Sequence, residues 1–393
     1  MSAVQAEGED RRPVDERVGR WARAAAAMVL AAMLSGCASL PRVPFTEAEQ
    51  AQASPAGFNH IRYTQEDPAL AEMLQRALRP DTRGGVDVLA ISGGGANGAY
   101  GAGLLDGWSQ TGHRPQFQLV TGVSTGALTA PFAFLGRDWD DRLRAAYFGA
   151  KVEHLLQRRG LPGLLTPGLY RKAPLEDLVR SYVTEDLMRA VAAEHAKGRR
   201  LLVATTNLDT EQLNVWDMGA IAAQGGPAAR TLFAQVLVAS ASVPGVFPPS
   251  LIPVESDGRL FSEMHVDGQA ESAFFAIPQT LLMMHSLPAP RFRARLFIIV
   301  NGRLDSQFEV TPHATIPILG RTLDAANKAS VRSVVITVLE FCRYVGCDMH
   351  VTSLPSTERD DSLDFSAAHV ARLFAAGREA AAAASTWRST LPD

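Results

Sequence analysis

The sequence predicts an α/β fold: a single domain with a central, mostly parallel sheet flanked by helices and a serine carried on a sharp strand-to-helix bend. Three observations lead there. An apolar run, Val86 to Ile91, opens into Ser92-Gly93-Gly94-Gly95-Ala96-Asn97-Gly98. A second, Phe117 to Val120, opens into Gly122-Val123-Ser124-Thr125-Gly126. Two strand–loop–helix units in succession call for crossovers on the faces of a parallel sheet. Third, the 393 residues are 47% hydrophobic and 20% charged, enough to bury a sizeable core.

The N-terminus reads as an address. Arg17, Arg20 and Arg23 precede an apolar stretch, Ala24 to Leu34, that is too short to span a bilayer but suits an export signal. It ends in Leu34-Ser35-Gly36-Cys37, which resembles the lipobox of bacterial lipoproteins. That resemblance implies a signal peptide over 1–36 and lipidation of Cys37. Acyl chains on Cys37 would tether the mature protein to a membrane. Ala38, in place of aspartate after the cysteine, implies the outer membrane of a bacterial cell envelope, facing the periplasm. The acidic Glu7, Glu9, Asp10, Asp15 and Glu16 are untypical of such a signal and leave a downstream start codon open.

Residues 37–82 read as a tether with one docking helix, Pro68 to Leu78, and the domain as 83–390. Within it, strand 86–91 feeds the glycine loop and a helix to Gln110; strand 117–121 feeds the serine bend and a helix to Leu135. Several helices follow over 139–197, interrupted by Leu155-Leu156 and by Leu161 to Tyr170, rich in leucine, proline and glycine. That stretch suits either irregular core or the border of an acyl-chain pocket. Leu201 to Thr206 and Gln212 to Trp216 read as paired strands, Ala228 to Ala239 as a helix, and 259–266 and 295–300 as strands. Val331, Val334, Val335, Val338, Leu339 and Cys342 recur at helical spacing and mark a core-facing helix within Thr322–Val345. An Ala-rich helix over Ser366–Ser385 closes the chain. Cys342 and Cys347 are compatible with a disulfide or with two free thiols; five residues apart in one helix they cannot bridge, but Gly346 offers a helix stop that folds Cys347 back.

Gly-X-Ser-X-Gly alone is weak: with 32 glycines it is expected on the order of 0.1–0.2 times by chance. Its context adds weight, since Leu119-Val120 supplies the strand and Ala127-Leu128-Thr129-Ala130 the helix. Gly93, Gly95 and Gly98 also fit the dinucleotide fingerprint, but the second strand ends in Thr121-Gly122-Val123-Ser124, without the acid that would hold a ribose. No dinucleotide or other cofactor is expected, and no ligand cluster argues for a metal. The net charge of −3, without a basic stripe, excludes a general attraction to nucleic acid. A serine nucleophile needs a base. None of the nine histidines has a recognisable catalytic setting; Asp267, at a strand end in His265-Val266-Asp267-Gly268-Gln269, does.

A Gly-Gly-Gly-X-X-Gly loop, a Gly-X-Ser-X-Gly bend about thirty residues on, Ala239-Ser240-Ala241-Ser242-Val243-Pro244-Gly245-Val246-Phe247 and a late Asp267-Gly268 together resemble the patatin-like phospholipase family over residues 86–270. The resemblance implies a patatin-like fold and a serine acyl hydrolase that cleaves lipid esters with a Ser–Asp dyad. Carried over, Ser124 is the nucleophile, Asp267 the base, and the amides of Gly93, Gly94, Gly95 and Gly98 the oxyanion hole. Two departures stand out: Asn97 where the family commonly has Arg or Lys, and Gln269 where it has Gly or Ala. Rival readings are an α/β-hydrolase esterase with a Ser–Asp–His triad, using His285 or His313, and a non-enzymatic lipid-binding lipoprotein.

Overall fold

The computed structural model describes residues 42–78, 80, 84–160, 167–276, 293–383 and 386–390, nearly all of which belong to the compact unit Phe45–Asp393. The expected signal peptide, Cys37, His285 and Leu161 to Thr166 lie outside the described residues.

Nine strands among the described residues form one sheet: β1 Arg62–Thr64, β2 Gly85–Ile91, β3 Leu119–Val123, β4 Arg200–Asn207, β5 Gln212–Asp217, β6 Ser250–Ser256, β7 Arg259–Asp267, β8 Arg293–Val300 and β9 Asp348–Ser353. Their order is β1-β5-β4-β3-β2-β8-β9, with β7 joined to β4 and β6 to β7. The run β4-β3-β2-β8-β9 is parallel, and the strands added at the β4 side are antiparallel. The fold is thus mixed α/β with a central sheet flanked by helices.

Side-chain alternation along β2 divides the core in two. Leu89 and Ile91 face one side, with helices Gly98–Gln110, Thr125–Leu135, Gly226–Ser240 and Ala367–Ala382. Val86, Val88 and Ala90 face the other, with helices Pro68–Ala77 and Thr315–Val345. Pro68–Ala77 starts at an Asp67 cap with Pro68 in its first turn and buries Leu70, Met73 and Leu74. Where a tether was expected, residues from Phe45 on are built into the domain, and β1 pairs with β5. Near the Leu-rich stretch, Leu155 is core and Leu156 and Tyr170 pack against it, as an irregular core segment would.

The long helix buries Val331, Val335, Val338 and Cys342, the positions that sequence periodicity selects, but begins seven residues earlier than the sequence suggests. It stops at Gly346, which takes the left-handed conformation (φ 80°, ψ 36°), so the chain reverses and Cys347 is disulfide-bonded to Cys342. His350, next along the chain, lies on β9 with its ring stacked on Phe297.

Candidate active site

The sheet register brings two remote strand ends together. β3 occupies one edge of β4 as far as Val123, which pairs with Ala204. The next β4 residue, Thr205, pairs with Asp267, the last residue of β7. β3 and β7 therefore approach head-on along the same edge of β4 and end one position apart. Gly268 confirms how close the two ends come: a Cβ there would lie 2.7 Å from the Ala204 carbonyl oxygen and 2.9 Å from Val123 Cγ1.

At the β3 end the chain turns sharply into helix Thr125–Leu135. Ser124 occupies the bend at φ 56°, ψ −128°, a conformation that a residue with a Cβ adopts only under strain. The bend is tight enough to need its glycines. A Cβ on Gly126 would sit 2.3 Å from the Ile91 carbonyl oxygen, and one on Gly122 2.5 Å from that of Gly126. Ser240 braces the turn: the Ser124 N–H donates to its hydroxyl (3.0 Å), which donates to the Ala204 carbonyl (2.7 Å). Two residues on, the Ser242 carbonyl accepts the Asp267 N–H (3.0 Å). One short segment thus fixes both strand ends.

Both side chains are buried, Ser124 at 2% and Asp267 at 1% exposure. Asp267 Oδ1 accepts the Gln269 N–H at 2.9 Å, while buried Oδ2 makes no hydrogen bond among the described residues. The Asp267 carboxyl is pushed up to about 7 by burial, against the downward pull of the nearby Ser124 hydroxyl and the Gln269 N–H. The Ser124 hydroxyl is thus close enough to act on the carboxyl electrostatically, and no closed hydrogen bond joins the two among the described residues.

The glycine loop follows β2. Gly94 (φ 151°) and Gly95 (φ 56°) adopt backbone conformations that favour glycine, and Cβ atoms there would lie 1.9 Å from the Asn301 carbonyl oxygen and 2.1 Å from that of Ser362. Among the described residues, the N–H groups of Gly93, Gly94 and Gly95 have no hydrogen-bond partner. The Gly98 N–H does: it points back at the Gly95 and Ala96 carbonyls, so the fourth amide of the expected oxyanion set is committed within the turn. Gly98 serves packing instead, with Thr125 Oγ1 and Tyr147 Oη 2.3 and 2.6 Å from where its Cβ would be.

Two braces of this loop escaped sequence reasoning. Asn301, at the end of β8, donates from Nδ2 to the Ser92 carbonyl (2.8 Å), accepts the Gly101 N–H at Oδ1 (3.1 Å), and donates its own N–H to Ser92 Oγ (2.9 Å). A polar residue ending an apolar strand in Val300-Asn301-Gly302 was its one signal. Asn301→Ala is expected to cost about 2 kcal/mol, read as a lower Tm, because it strands a buried carbonyl and a buried N–H. The second brace is the 360–362 segment: the Ser362 carbonyl accepts the Ala96 N–H (2.9 Å) and Asp360 Oδ1 accepts from Asn97 Nδ2 (2.6 Å). Asn97 is buried and also meets His369 Nε2 (3.3 Å), and the cation at this place comes from Lys328, 3.1 Å from Asp360 Oδ2. Gln269 lies over the loop; a Cβ on Gly93 would be 2.1 Å from its Oε1.

Among the described residues no histidine is hydrogen-bonded to Asp267. His265 is the nearest in sequence, but its ring nitrogens meet Thr205 Oγ1 (3.0 Å) and Glu263 Oε2 (3.1 Å). His313 is exposed, ahead of helix Thr315–Val345. Among the described residues, no His/Cys/Asp/Glu group is arranged to hold a metal ion, and no helix is long and apolar enough to cross a membrane.

Comparison with known proteins bears on the same region. No curated protein matches the sequence. Among solved structures, VipD from Legionella pneumophila aligns over 75% of this chain and 65% of its own, at 12% identity and TM-score 0.36. ExoU of Pseudomonas aeruginosa, in complex with SpcU, aligns over 87% of this chain and 60% of its own, at 13% identity and TM-score 0.29. The chain thus spans less than two thirds of either. The family described as patatin-like phospholipase matches residues 89–276, which take in the glycine loop, the Ser124 bend, the bracing serines and Asp267. Residues 89–276 of this chain are a domain of the patatin-like phospholipase family.

Proposed function

We propose that the protein is a serine acyl hydrolase that cleaves lipid ester bonds, of phospholipase A or lysophospholipase type, through a Ser124–Asp267 dyad. The observation that carries this reading is the meeting of β3 and β7 on one edge of β4, which sets a strained serine beside a carboxylate with an unshared buried oxygen. The free amides of Gly93 to Gly95 suit the developing oxyanion.

Ser124 Oγ attacks the ester carbonyl carbon while its proton passes to Asp267 Oδ2. The carbonyl oxygen gathers negative charge against the glycine amides. Collapse breaks the bond to the alcohol oxygen, which takes the proton from Asp267, and leaves the acyl group on Ser124. Water then attacks the acyl carbon and gives a proton to Asp267; the second collapse releases the fatty acid, and the proton returns to Ser124. A carboxylate serves as base here because burial raises its proton affinity towards neutral pH.

A fluorophosphonate probe should label the purified protein at Ser124, and fatty-acid release from phospholipid vesicles should fall in proportion to the labelled fraction. Lipid binding without labelling would favour a non-catalytic lipoprotein. No described histidine is hydrogen-bonded to Asp267, and since His285 lies outside the described residues the triad reading is tested by His285→Ala and His313→Ala, which should keep full turnover if Asp267 is the base.

The lipobox-like Leu34-Ser35-Gly36-Cys37 supports the further reading that lipidated Cys37 holds the enzyme on the bacterial envelope, at the outer membrane. Cys37→Ser should move the protein from the membrane fraction to the soluble fraction and abolish incorporation of a labelled fatty acid. Unchanged fractionation would remove the anchor from this account.

A further inference from the structure

A polar cavity of about 320 Å³ lies beside the bracing serines, between helices Ala173–Tyr182 and Gly226–Ser240 and strand β6. Its charge is unbalanced. Lys172, Arg180 and Arg230 line it against one carboxylate, Glu176, which is already paired with Arg180 at 3.1 Å. Among the described residues, Lys172 and Arg230 have no carboxylate within ion-pair distance. Arg230 makes no hydrogen bond among them either, and the Lys172 ammonium donates to the Ser250 hydroxyl.

A half-buried ammonium whose hydrogen-bond acceptor is a neutral hydroxyl bears a desolvation cost that the Glu176 carboxylate, already paired with Arg180, offsets only in part. Burial draws Lys172 down to about 8, a sign of that unreturned cost. Lys172 is also the residue at the N-terminus of helix Ala173–Tyr182, whose dipole adds positive potential to the same wall. The hydroxyls of Ser250 and Thr231 and the Gln235 amide supply uncharged hydrogen-bonding groups beside the cations. A cluster of fork-shaped and point-charge donors with hydroxyls suits a tetrahedral oxyanion.

We infer that this cavity is a binding site for a phosphate-bearing ligand, separate from the Ser124 site and shaped by Lys172, Arg230, Arg180 and Ser250. The two sites are neighbours: Ser250 Oγ lies 3.4 Å from Ser242 Oγ, and the Ser242 carbonyl holds the Asp267 N–H. The phosphate can come from a soluble monoester or from an anionic lipid headgroup.

The test reads binding and does not depend on catalysis. Inorganic phosphate and glycerol 3-phosphate should raise the Tm of the full chain by about 1–3 °C relative to chloride at equal ionic strength. The shift should disappear in Lys172→Met and fall by at least half in Arg230→Ala, an exposed position whose loss leaves the fold intact. Phosphatidylcholine vesicles with and without phosphatidic acid separate the sources. Binding that needs phosphatidic acid and is lost in both variants assigns the headgroup; vesicle binding indifferent to the variants, with the phosphate shift lost, assigns the soluble ligand. No shift with phosphate, an equal shift with chloride, or a shift that survives both substitutions would overturn the site.

Discussion

Ser124→Ala is expected to lower fatty-acid release from phospholipid vesicles by at least about 10³-fold and to abolish fluorophosphonate labelling. Fold should survive, because the hydroxyl does not hold the bend. The bend is held by the Ser124 N–H on Ser240 and by Gly122 and Gly126, which an alanine leaves in place. Tm should stay within the range of a neutral substitution, about ±0.5 kcal/mol. Ser124→Gly separates strain from chemistry: glycine accepts φ 56° without penalty and should stabilise the protein by about 1 kcal/mol while remaining inactive. Turnover within tenfold of wild type in Ser124→Ala would place the nucleophile elsewhere.

Asp267→Asn should be equally inactive, yet more stable than wild type at pH 8. The native carboxyl has a pKa of about 7 against 3.8 for an unperturbed aspartate. Between those values the native state holds a proton that the unfolded chain has released, so stability falls as pH rises through that window and levels off above 7. The accumulated cost is on the order of 4 kcal/mol at pH 8. Asparagine keeps an oxygen for the Gln269 N–H but never ionises, so it escapes that cost. Its Tm should exceed wild type by several degrees at pH 8, and the difference should vanish below pH 4. The same titration predicts that wild-type kcat/KM climbs with pH through about 7, as the base becomes available. A mutant that keeps its activity, or is no more stable than wild type at pH 8, would show that Asp267 is not an ionised buried base.

Much of this architecture is legible in the sequence. The glycine loop, the serine bend and their helices show in local patterns, because each needs residues without side chains at fixed places. β3 itself runs two residues further than its apolar run suggests, so Val123 is still strand and the bend falls on Ser124. β6 was missed because Pro253 stands in its middle. It is tolerated there because β6 is an edge strand: it pairs along its length with β7, and its other edge meets Ser54 in a single bridge at Glu255, two residues from Pro253. β1 has only three residues, and polar residues interrupt the apolar pattern of β9. In the sequence Asp267 stands out only as a carboxylate at a strand end before a glycine turn, and its proposed pairing with Ser124 is sharpened by family resemblance; the reason the two strand ends meet, β3 and β7 sharing one edge of β4, is a property of register that no local window contains. The roles of Ser240, Asn301 and Asp360 are of the same kind, since each acts on a group at least a hundred residues away.

The glycine loop takes its final shape from the far end of the chain. The Ser362 carbonyl caps Ala96, Asp360 holds Asn97, and helix Ala367–Ala382 lies backbone-to-backbone on helix Gly98–Gln110, with Gly377 against the Tyr100 carbonyl. A chain still on the ribosome, or cut short before residue 360, has the serine and its strand but not the clasp that shapes the amide cradle. The glycine loop is therefore among the last parts of the domain to take its final shape.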